Sequence, residues 1–283
     1  MFGFLNVYKP AGMTSHDVVA HFRRLTKVKQ IGHTGTLDPF AEGVLPLCIG
    51  KATKLIEYLN DDKAYIGTVK LGKSTDTFDK DGVVINTSTK IVNLDEIEVI
   101  LPYFCGEIEQ FPPMYSAIKV NGRKLYEYAR EGKSVEIKSR HVSIEKLEVL
   151  NFNSAEQELE LYIQCSKGTY IRSLANDIGN KLNTYGYLSK LVRVKAGGFL
   201  VENSIKLDDF HSMSNVEQNL INPLKYLNYP IYELNEKECT PISNGNSISV
   251  NMKDGITILT KGNCIVSVGK VNKSIFKPDK VFI

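Results

Sequence analysis

The sequence lacks the patterns that mark zinc-binding, disulfide-rich and membrane-spanning proteins. Its five cysteines lie far apart and form no C-x-x-C pair, so neither a zinc site nor a dense disulfide framework is expected. Widely spaced free thiols are typical of a reducing compartment. No basic segment followed by an apolar run opens the chain, and no apolar stretch approaches the roughly 20 residues that span a bilayer. We therefore expect a cytoplasmic protein without membrane contact.

An excess of charge of one sign is also missing, because the formal net charge is only +3 at pH 7. The distribution along the chain is more informative than the total. Residues 119–140 contain seven basic and three acidic side chains, and residues 165–201 contain six basic and one acidic. Local excesses of this kind bind phosphates while the whole protein stays near neutral. An ordinary solvated face is the alternative for each segment.

Length and pattern predict an α+β protein in two parts. A chain of 283 residues is too long for one small core. Its strands do not alternate regularly with helices, so we expect a mixed, largely antiparallel sheet with flanking helices. Beyond a boundary near residues 219–230, short strands between glycine turns predict a small all-β unit. The predicted domains are residues 1–228 and 229–283.

Hydrophobic periodicity and turn residues set the individual elements. Strands are predicted over residues 2–8, 45–49, 63–71, 142–150, 159–166, 187–200, 247–250, 256–260 and 265–271. Helices are predicted over residues 15–28, 50–59, 94–104, 123–130 and 167–182. Thr14 or Ser15 is expected to cap the first helix, with Asp17 in its first turn.

One stretch, residues 32–47, is unusual enough to organise the rest of the chain; it reads GHTGTLDPFAEGVLPL. Its three glycines and two prolines exclude a regular helix or strand over the first half, whereas its leucine, phenylalanine and valine side chains need burial. A buried loop must find a partner for every backbone polar group. Pro39 restricts Asp38 to an extended backbone. The pattern therefore predicts a single carboxylate, Asp38, held rigidly at the rim of a cavity.

The same stretch resembles the catalytic motif of the pseudouridine synthases, G-H-x-G-x-L-D-P-x-A-x-G-x-L, which here reads GHTGTLDPFAEGVL. The segment KPAGMTS, which begins at Lys9, resembles a second family motif that braces the catalytic loop, and Lys9 is a candidate RNA contact. Across the rest of the chain the resemblance is to the bacterial branch that modifies uridine 55 of tRNA. It implies a pseudouridine synthase fold with a C-terminal PUA-like RNA-binding domain, and Asp38 as the nucleophile. For an isolated Asp-Pro pair, a turn cap is the ordinary interpretation.

A carboxylate in a largely dry pocket stays ionised only beside a cation. The family motif KGTYIR is intact at residues 167–172 and implies that Arg172 is that cation, a group that is always charged and pairs bidentately. The target base must leave its stack and enter a pocket. The resemblance implies that Tyr65 is a catalytic residue that packs on its face, and the Tyr65 hydroxyl, or a water, is the candidate for removing the C5 proton. It also implies that Tyr170 supports Arg172 and that His33 contacts RNA. Taken singly, each of these residues has a structural alternative, such as an ion pair or a core side chain.

Residues 106–140 form the second distinctive region, in which basic residues are interleaved with tyrosines. Cations bind phosphate and aromatic rings stack on bases, so this pattern suits RNA. The segment PPMYSAIKVNGRKLYEYAREG resembles an RNA-clasping insertion of the tRNA branch. The resemblance implies that the T-arm of tRNA is the partner and that the region contacts it, with Lys119, Arg123 and Lys124 as the RNA-binding candidates. An amphipathic helix with its tyrosines in the core is the alternative.

Pseudouridylation breaks the C1′–N1 bond of uridine and joins C5 to C1′, without oxidation or an energy-rich bond. No metal or cofactor is required, and the five histidines show no metal-ligand spacing. We expect an enzyme that isomerises uridine 55 in the T-loop of tRNA by base flipping, as a monomer without a required protein partner. Whether Asp38 attacks C6 or C1′, or assists a glycal route, stays open. The competing hypotheses are the same chemistry on another RNA and an RNA-binding or RNA-folding protein.

Overall fold

The computed structural model describes residues 1–282, which form a ten-stranded sheet, a five-stranded sheet, two small hairpins and six α-helices. The strands are β1 (Gly3–Lys9), β2 (Ile31–His33), β3 (Glu42–Ile49), β4 (Lys63–Leu71), β5 (Lys73–Thr75), β6 (Val84–Thr87), β7 (Gly106–Gln110), β8 (Lys119–Val120), β9 (Arg123–Lys124), β10 (Arg140–Asn153), β11 (Glu158–Cys165), β12 (Gly186–Ala196), β13 (Phe199–Leu200), β14 (Ile205–Lys206), β15 (Ile231–Glu233), β16 (Ile248–Ser249), β17 (Gly255–Lys261), β18 (Cys264–Asn272) and β19 (Ile275–Val281). The helices are α1 (Ser15–Thr26), α2 (Leu94–Ile100), α3 (Leu125–Arg130), α4 (Ile171–Lys181), α5 (Met213–Gln218) and α6 (Glu236–Ser243). Short 3-10 helices cover Gly50–Tyr58, Leu101–Phe104, Val201–Asn203, Leu207–Asp209 and Pro223–Tyr226.

The ten-stranded sheet has the order β14-β1-β3-β12-β4-β11-β10-β7, with β2 also paired to β3 and β13 to β12. Its pairs are antiparallel except for β1 with β14 and β3 with β12. The predicted α+β fold with a mixed, largely antiparallel sheet is therefore confirmed. The parallel contact of β3 with β12 matters most for the site, because it brings the loop before β3 beside a strand about 150 residues further along the chain.

The helix α1 forms where the capping pattern predicts it. The Thr14 side chain accepts a hydrogen bond from the backbone N–H of Asp17, and the Asp17 carboxylate accepts one from Thr14 N at 2.9 Å. This reciprocal capping box satisfies two helix-end donors. Val18, Val19 and Phe22 on one side of α1 pack into a buried cluster with residues of β1 and β3. The helix therefore fixes the segment just before it against the centre of the sheet.

The helix α4 covers a second part of the sheet. Ile171, Leu174, Ala175 and Ile178 are buried in one cluster with side chains of β4, β11 and β12. These spacings of three and four residues place the apolar side chains along one face of a helix. Because α4 begins at this buried face, its first turn lies directly over the middle of the sheet.

Two predicted helices begin later than expected, α3 at Leu125 and α4 at Ile171, and two others differ in type or continuity. Residues 50–59 form a 3-10 helix, Gly50–Tyr58, rather than an α-helix. Residues 94–104 divide into α2 and the 3-10 helix Leu101–Phe104, which has Pro102 in its first turn. Proline has no backbone N–H and clashes with the preceding turn, so it ends the α-helical hydrogen bonding there. The strand predicted over residues 63–71 has the same bounds as β4.

The five-stranded sheet, of order β15-β17-β18-β19-β16, forms the C-terminal part of the chain. It contains the strands predicted near residues 247–250, 256–260 and 265–271 as β16, β17 and β18. The helix α6 is an addition that the sequence pattern did not indicate, because Pro241 lies inside it. Leu234, Ile242 and Phe276 belong to the buried cluster that this helix and sheet share.

The two sheets pack against each other through a common apolar cluster. Phe4 and Leu55 of the first part and Ile258 and Phe282 of the second are buried in it together. The Tyr58 hydroxyl also hydrogen-bonds the Asp279 carboxylate across this contact. Among residues 1–282, no helix is long and apolar enough to cross a membrane.

Candidate active site

Two buried side chains from the segment around α1 hold the loop that carries Asp38. The Ser15 hydroxyl accepts a hydrogen bond from Leu37 N at 2.8 Å and donates one to Leu37 O at 3.1 Å. The ammonium of Lys9, which is fully buried, donates to the carbonyls of Pro10, Met13 and Pro39 at 2.8, 2.7 and 3.2 Å. Burial lowers the pKa of Lys9 to about 8, against the opposing effect of the Asp38 and Glu42 carboxylates. The backbone on both sides of Asp38 is therefore fixed from within.

Arg193 of β12 holds the same loop from the other side. Its fully buried guanidinium donates to the carbonyls of Val44, Thr36 and Gly35 at 2.7, 3.3 and 3.1 Å. The strands must approach closely for this contact: a Cβ at Gly43, whose φ is +103°, would lie 2.3 Å from the Arg193 carbonyl oxygen. Only glycine fits such a position without strain. The sequence analysis counted Arg193 only as part of a basic segment.

Arg172 and Asp38 form an ion pair at the start of α4. Arg172 Nη2 donates to Asp38 Oδ1 at 3.1 Å, and Nε lies 2.9 Å from Oδ2. The Arg172 side chain is 6% exposed and the Asp38 side chain 32% exposed. The carboxylate thus faces solvent on one side and the buried guanidinium on the other. A planar guanidinium also fixes the orientation of both carboxylate oxygens.

A second carboxylate, Asp79, lies on the far side of the same guanidinium. Its Oδ2 is 3.3 Å from Arg172 Nη1, and the Thr77 hydroxyl donates to its Oδ1 at 2.6 Å. Burial raises the pKa of Asp79, and the Thr77 hydrogen bond and the Arg172 charge oppose that rise. Arg172 also donates to the carbonyls of Thr77 and Tyr115, both at 3.1 Å. The guanidinium is therefore held in one orientation between two carboxylates.

The Asp38–Arg172 pair forms part of the wall of a cavity of about 440 Å³. This volume is within the range of small-molecule sites and suits one nucleoside. The wall also contains side chains predicted to contact substrate and a set from residues 106–140: Tyr65, Tyr170, Tyr115, Ser116, Ala117 and Tyr126. The structure thus brings Asp38, Tyr65, Tyr170 and Arg172 to a single cavity.

Tyr65 lies on β4 in the middle of the sheet, with Ile163 of β11 and Arg193 of β12 as its strand partners. It is only 7% exposed. Burial raises the pKa of Tyr65 to about 12, although the Arg193 charge opposes the shift. At neutral pH the side chain is therefore an uncharged phenol with a ring at the cavity wall.

Residues 106–140 are joined to the first turn of α4 at two points besides the Arg172–Tyr115 contact. The buried Gln110 side chain accepts a hydrogen bond from Tyr170 N at 2.7 Å and donates one to Tyr170 O at 3.0 Å. The Ser173 hydroxyl donates to Phe111 O at 2.7 Å. These bonds fix the segment against the cavity, so that it forms one wall of it.

Two of the predicted RNA contacts lie away from the cavity surface. His33 is partly buried, and its Nδ1 accepts a hydrogen bond from Gly35 N at 3.2 Å. Burial, followed by the charge of Arg193, lowers the pKa of His33. Lys9 is fully buried and donates only to backbone carbonyls in its contacts. The prediction of Lys9 as an RNA contact is therefore corrected: its ammonium is enclosed by the loop that it supports.

The other predicted RNA contacts lie on the β8–β9 hairpin and the start of α3. Lys119 and Arg123 are exposed and Lys124 is partly buried. The Arg123 guanidinium pairs with the Glu131 carboxylate and lies 4.8 Å from the centroid of the Tyr128 ring. The Lys124 ammonium lies 5.3 Å from the Tyr126 ring centroid. The hairpin thus presents cations and aromatic rings together beside the cavity wall.

Another cavity, of about 550 Å³, lies between the two sheets near Phe2, Ile221 and Phe282. Among the described residues that line this cavity, none form an ion pair like that of Asp38 and Arg172. We therefore assign the chemistry to the cavity of Asp38. Within residues 1–282, no group of three or more His, Cys, Asp or Glu side chains is arranged to hold a metal ion.

The fold and the site together define the class of protein. A chain of the archaeal box H/ACA sRNP Nop10–Cbf5 complex superposes with a TM-score of 0.71 at 22% identity, over 99% of this chain and 86% of that chain. A chain of an H/ACA RNP bound to a substrate RNA containing 2′-deoxyuridine gives a TM-score of 0.69 at 23% identity. This chain therefore shares the fold of those two chains of H/ACA ribonucleoproteins.

Sequence comparison identifies the family. A model of the TruB family pseudouridylate synthase N-terminal domain matches residues 23–171. The tRNA pseudouridine synthase B of Carboxydothermus hydrogenoformans is 40% identical over 290 residues, which cover 100% of this chain and 99% of that protein. The tRNA pseudouridine synthase B of Clostridium novyi is 48% identical over 229 residues, 81% of this chain and 78% of that protein. The chain belongs to the TruB family of pseudouridylate synthases.

Proposed function

We propose that this enzyme, an isomerase of the family that converts uridine in tRNA to pseudouridine, acts on uridine 55 in the T-loop. One observation carries the proposal: the Asp38 carboxylate, paired with Arg172, lies in the wall of a cavity that suits one nucleoside. A nucleoside enters such a cavity only if its base is turned out of the RNA stack. The substrate is therefore a flipped uridine.

Asp38 is the proposed nucleophile. In the overall reaction the C1′–N1 bond breaks, a C1′–C5 bond forms, the proton leaves C5 and N1 gains one. A carboxylate attacks or stabilises the electron-poor sugar in glycoside chemistry. Attack at C6, attack at C1′ and assistance of a glycal route all require Asp38 to be ionised and fixed in orientation. Arg172 meets both requirements, because it neutralises the charge and contacts both oxygens.

Tyr65 is proposed to pack its ring on the face of the uracil. A phenol with a pKa of about 12 stays protonated at neutral pH, so it contributes an apolar face and a hydrogen-bond donor. Tyr170 supports the site through its backbone, because it precedes α4 and is fixed by Gln110. His33 is proposed to contact the RNA next to the flipped nucleotide.

The T-arm is proposed to bind along residues 106–140, where Lys119, Arg123 and Lys124 lie beside the cavity wall. We propose residues 1–228 as the catalytic domain and residues 229–283 as a PUA-like RNA-binding domain. The enzyme is proposed to work as a monomer, without cofactor or required protein partner, on tRNA in the cytoplasm.

The test compares wild-type protein and Asp38→Asn on T-arm RNA with one uridine at the target position. The wild type should form pseudouridine, and Asp38→Asn should bind the RNA with similar affinity but form none. Wild-type protein that binds T-arm RNA without forming pseudouridine would contradict the enzyme proposal. Product on an RNA without a T-loop, at an equal rate, would contradict the substrate proposal. Mapping pseudouridine in tRNA of cells with and without the protein checks the position.

A further inference from the structure

Three lysines surround the turn before β4, but the turn has only two carboxylates. Lys167 Nζ lies 3.1 Å from Asp61 Oδ2, and Lys195 Nζ lies 2.6 Å from Asp62 Oδ2. The third lysine, Lys63, donates to the Asp61 carbonyl at 3.0 Å. Among residues 1–282 no carboxylate oxygen lies within 4.0 Å of its ammonium. Lys63 is therefore a cation without an ion-pair partner.

Lys63 is also part of the active-site cavity wall. It precedes Tyr65 by two positions on β4, so both side chains project from the same face of the strand. The loop leaves room for it: a Cβ at Gly35 would lie 3.3 Å from Lys63 Cε. The stem of Lys63 thus passes against the backbone of the loop that carries Asp38.

The surroundings of Lys63 on balance destabilise its charge. The side chain is half-buried, and burial lowers its pKa, with the Arg193 charge acting in the same direction and the Asp61 charge opposing them. A partly desolvated cation beside another cation is costly unless an anion approaches. In a cavity for one flipped nucleotide, the anions that accompany the ligand are the phosphates on either side of it.

We propose that Lys63 binds a phosphate flanking the flipped uridine and so positions the sugar against Asp38. The inference rests on the proposed function, because it takes the cavity ligand to be a nucleotide of RNA. A phosphate supplies the missing counter-charge and accepts charge-assisted hydrogen bonds from the ammonium. Lys63 is a positioning residue in this scheme, since it contacts the backbone of the substrate and none of the bonds that change.

The first experiment measures how the affinity for T-arm RNA depends on salt, in an Asp38→Asn background that leaves the RNA unchanged. Lys63→Gln should weaken binding about tenfold and reduce the slope of log affinity against log salt by about 0.7 to 0.9. Lys70→Gln is the matched control: Lys70 is on the same strand, but pairs with Glu156 and Glu158 at 3.3 and 3.5 Å. It should change neither quantity. An unaltered slope in Lys63→Gln would overturn the proposal.

The second experiment removes the charge from the RNA instead. A neutral methylphosphonate replaces the phosphate 5′ or 3′ of the target uridine, with a 2′-O-methyl group on the nucleotide before it to prevent strand cleavage. At one of the two positions, the neutral linkage should weaken binding to the protein that retains Lys63 about tenfold. The same linkage should not weaken binding to Lys63→Gln any further, because the contact is already absent there. Equal losses in both proteins at both positions would mean that Lys63 contacts neither phosphate.

These results are independent of pseudouridine formation. If the wild type forms no pseudouridine but the affinities couple as described, the proposed function fails and the phosphate contact stands. If the wild type forms pseudouridine and the affinities do not couple, the phosphate contact fails alone. Lys63→Met, which keeps an unbranched apolar stem without the charge, should lose as much affinity as Lys63→Gln, whereas a purely structural role of the stem would leave the affinity of Lys63→Met close to that of the parent protein.

Discussion

Replacing Arg172 with lysine tests whether the shape of the guanidinium matters as well as its charge. Arg172 reaches both oxygens of Asp38, at 3.1 and 2.9 Å, and Asp79 at 3.3 Å. A lysine has one nitrogen and cannot hold both carboxylates and the two carbonyls in these directions. Two lost charge-assisted contacts are worth about 3–6 kcal/mol together. Because Asp38 is one-third exposed, we expect the lower half of that range, a fall in turnover of about 10²- to 10³-fold.

The assay is single-turnover release of tritium from T-arm RNA labelled at C5 of the target uridine, because that hydrogen leaves during the reaction. RNA affinity should stay within about threefold of wild type, since Arg172 is buried and its contacts are internal. Thermal unfolding of Arg172→Lys, monitored by circular dichroism, distinguishes a loss of the fold from a loss of the contacts between residue 172 and the two carboxylates. Turnover within fivefold of wild type in a folded variant would refute the reasoning.

The remaining predictions concern the supports of the site. Asp79→Asn should lower turnover about tenfold without changing RNA affinity. Because burial raises the Asp79 pKa, the folded protein binds that proton more tightly than the unfolded chain does, so the stability of the wild type relative to Asp79→Asn should fall as the pH rises above about 4, the ordinary pKa of an aspartate. Ser15→Ala should cost about 2 kcal/mol in urea unfolding, since both polar groups of Leu37 lose their partner. Gly43→Ala should cost about 3 kcal/mol or prevent folding, because its Cβ would meet the Arg193 carbonyl.

Each of these predictions has an outcome that contradicts it. A pH-independent difference in melting temperature for Asp79→Asn would remove the buried-carboxylate argument. Ser243→Ala is the control for Ser15→Ala, because the exposed Ser243 hydroxyl bonds only the carbonyl of its own helix turn. Equal unfolding free energies for the two variants would show that Ser15 does not hold the loop. A fully stable Gly43→Ala would show that the two strands can separate at that point.

The local sequence pattern was enough to predict the helices and strands that depend on interactions between neighbouring residues. The capping box of Thr14 and Asp17 and the alternation over β4 involve neighbours in sequence, and both are present as predicted. The sheet class followed from the irregular succession of strands and helices. The C-terminal helix α6 did not follow, because a proline within eight residues obscures a helical pattern.

The missed residues of the site depend on distant partners. Arg193 bonds carbonyls 149 to 158 positions away, and its contact exists only because β12 lies parallel to β3. A signal was available: Arg193 occupies a buried position of an alternating strand, two residues after the buried Leu191. Asp79 was not singled out in the sequence, because its pairing with Arg172 of α4 has no local signature.

Lys9 shows the opposite error. From its family motif Lys9 was assigned to RNA, and only the folded structure reveals that its ammonium is bound by three backbone carbonyls. The charge that sequence reasoning placed on the surface instead neutralises the oxygens of a buried loop. Charge counts along a chain therefore cannot distinguish a cation that meets the ligand from one that holds the protein.

A single nitrogen of Arg172, Nη2, serves both the Asp38 carboxylate and the carbonyl of Tyr115. Tyr115 belongs to the segment on which RNA is proposed to bind, so Arg172 Nη2 connects the proposed RNA-binding segment to the proposed nucleophile. A ligand that displaces this segment by a fraction of an ångström would change the direction of the N–H bonds that point at the Asp38 carboxylate. If RNA docks on residues 106–140 as proposed, the position of the docked RNA and the orientation of Asp38 are therefore coupled through this one guanidinium nitrogen.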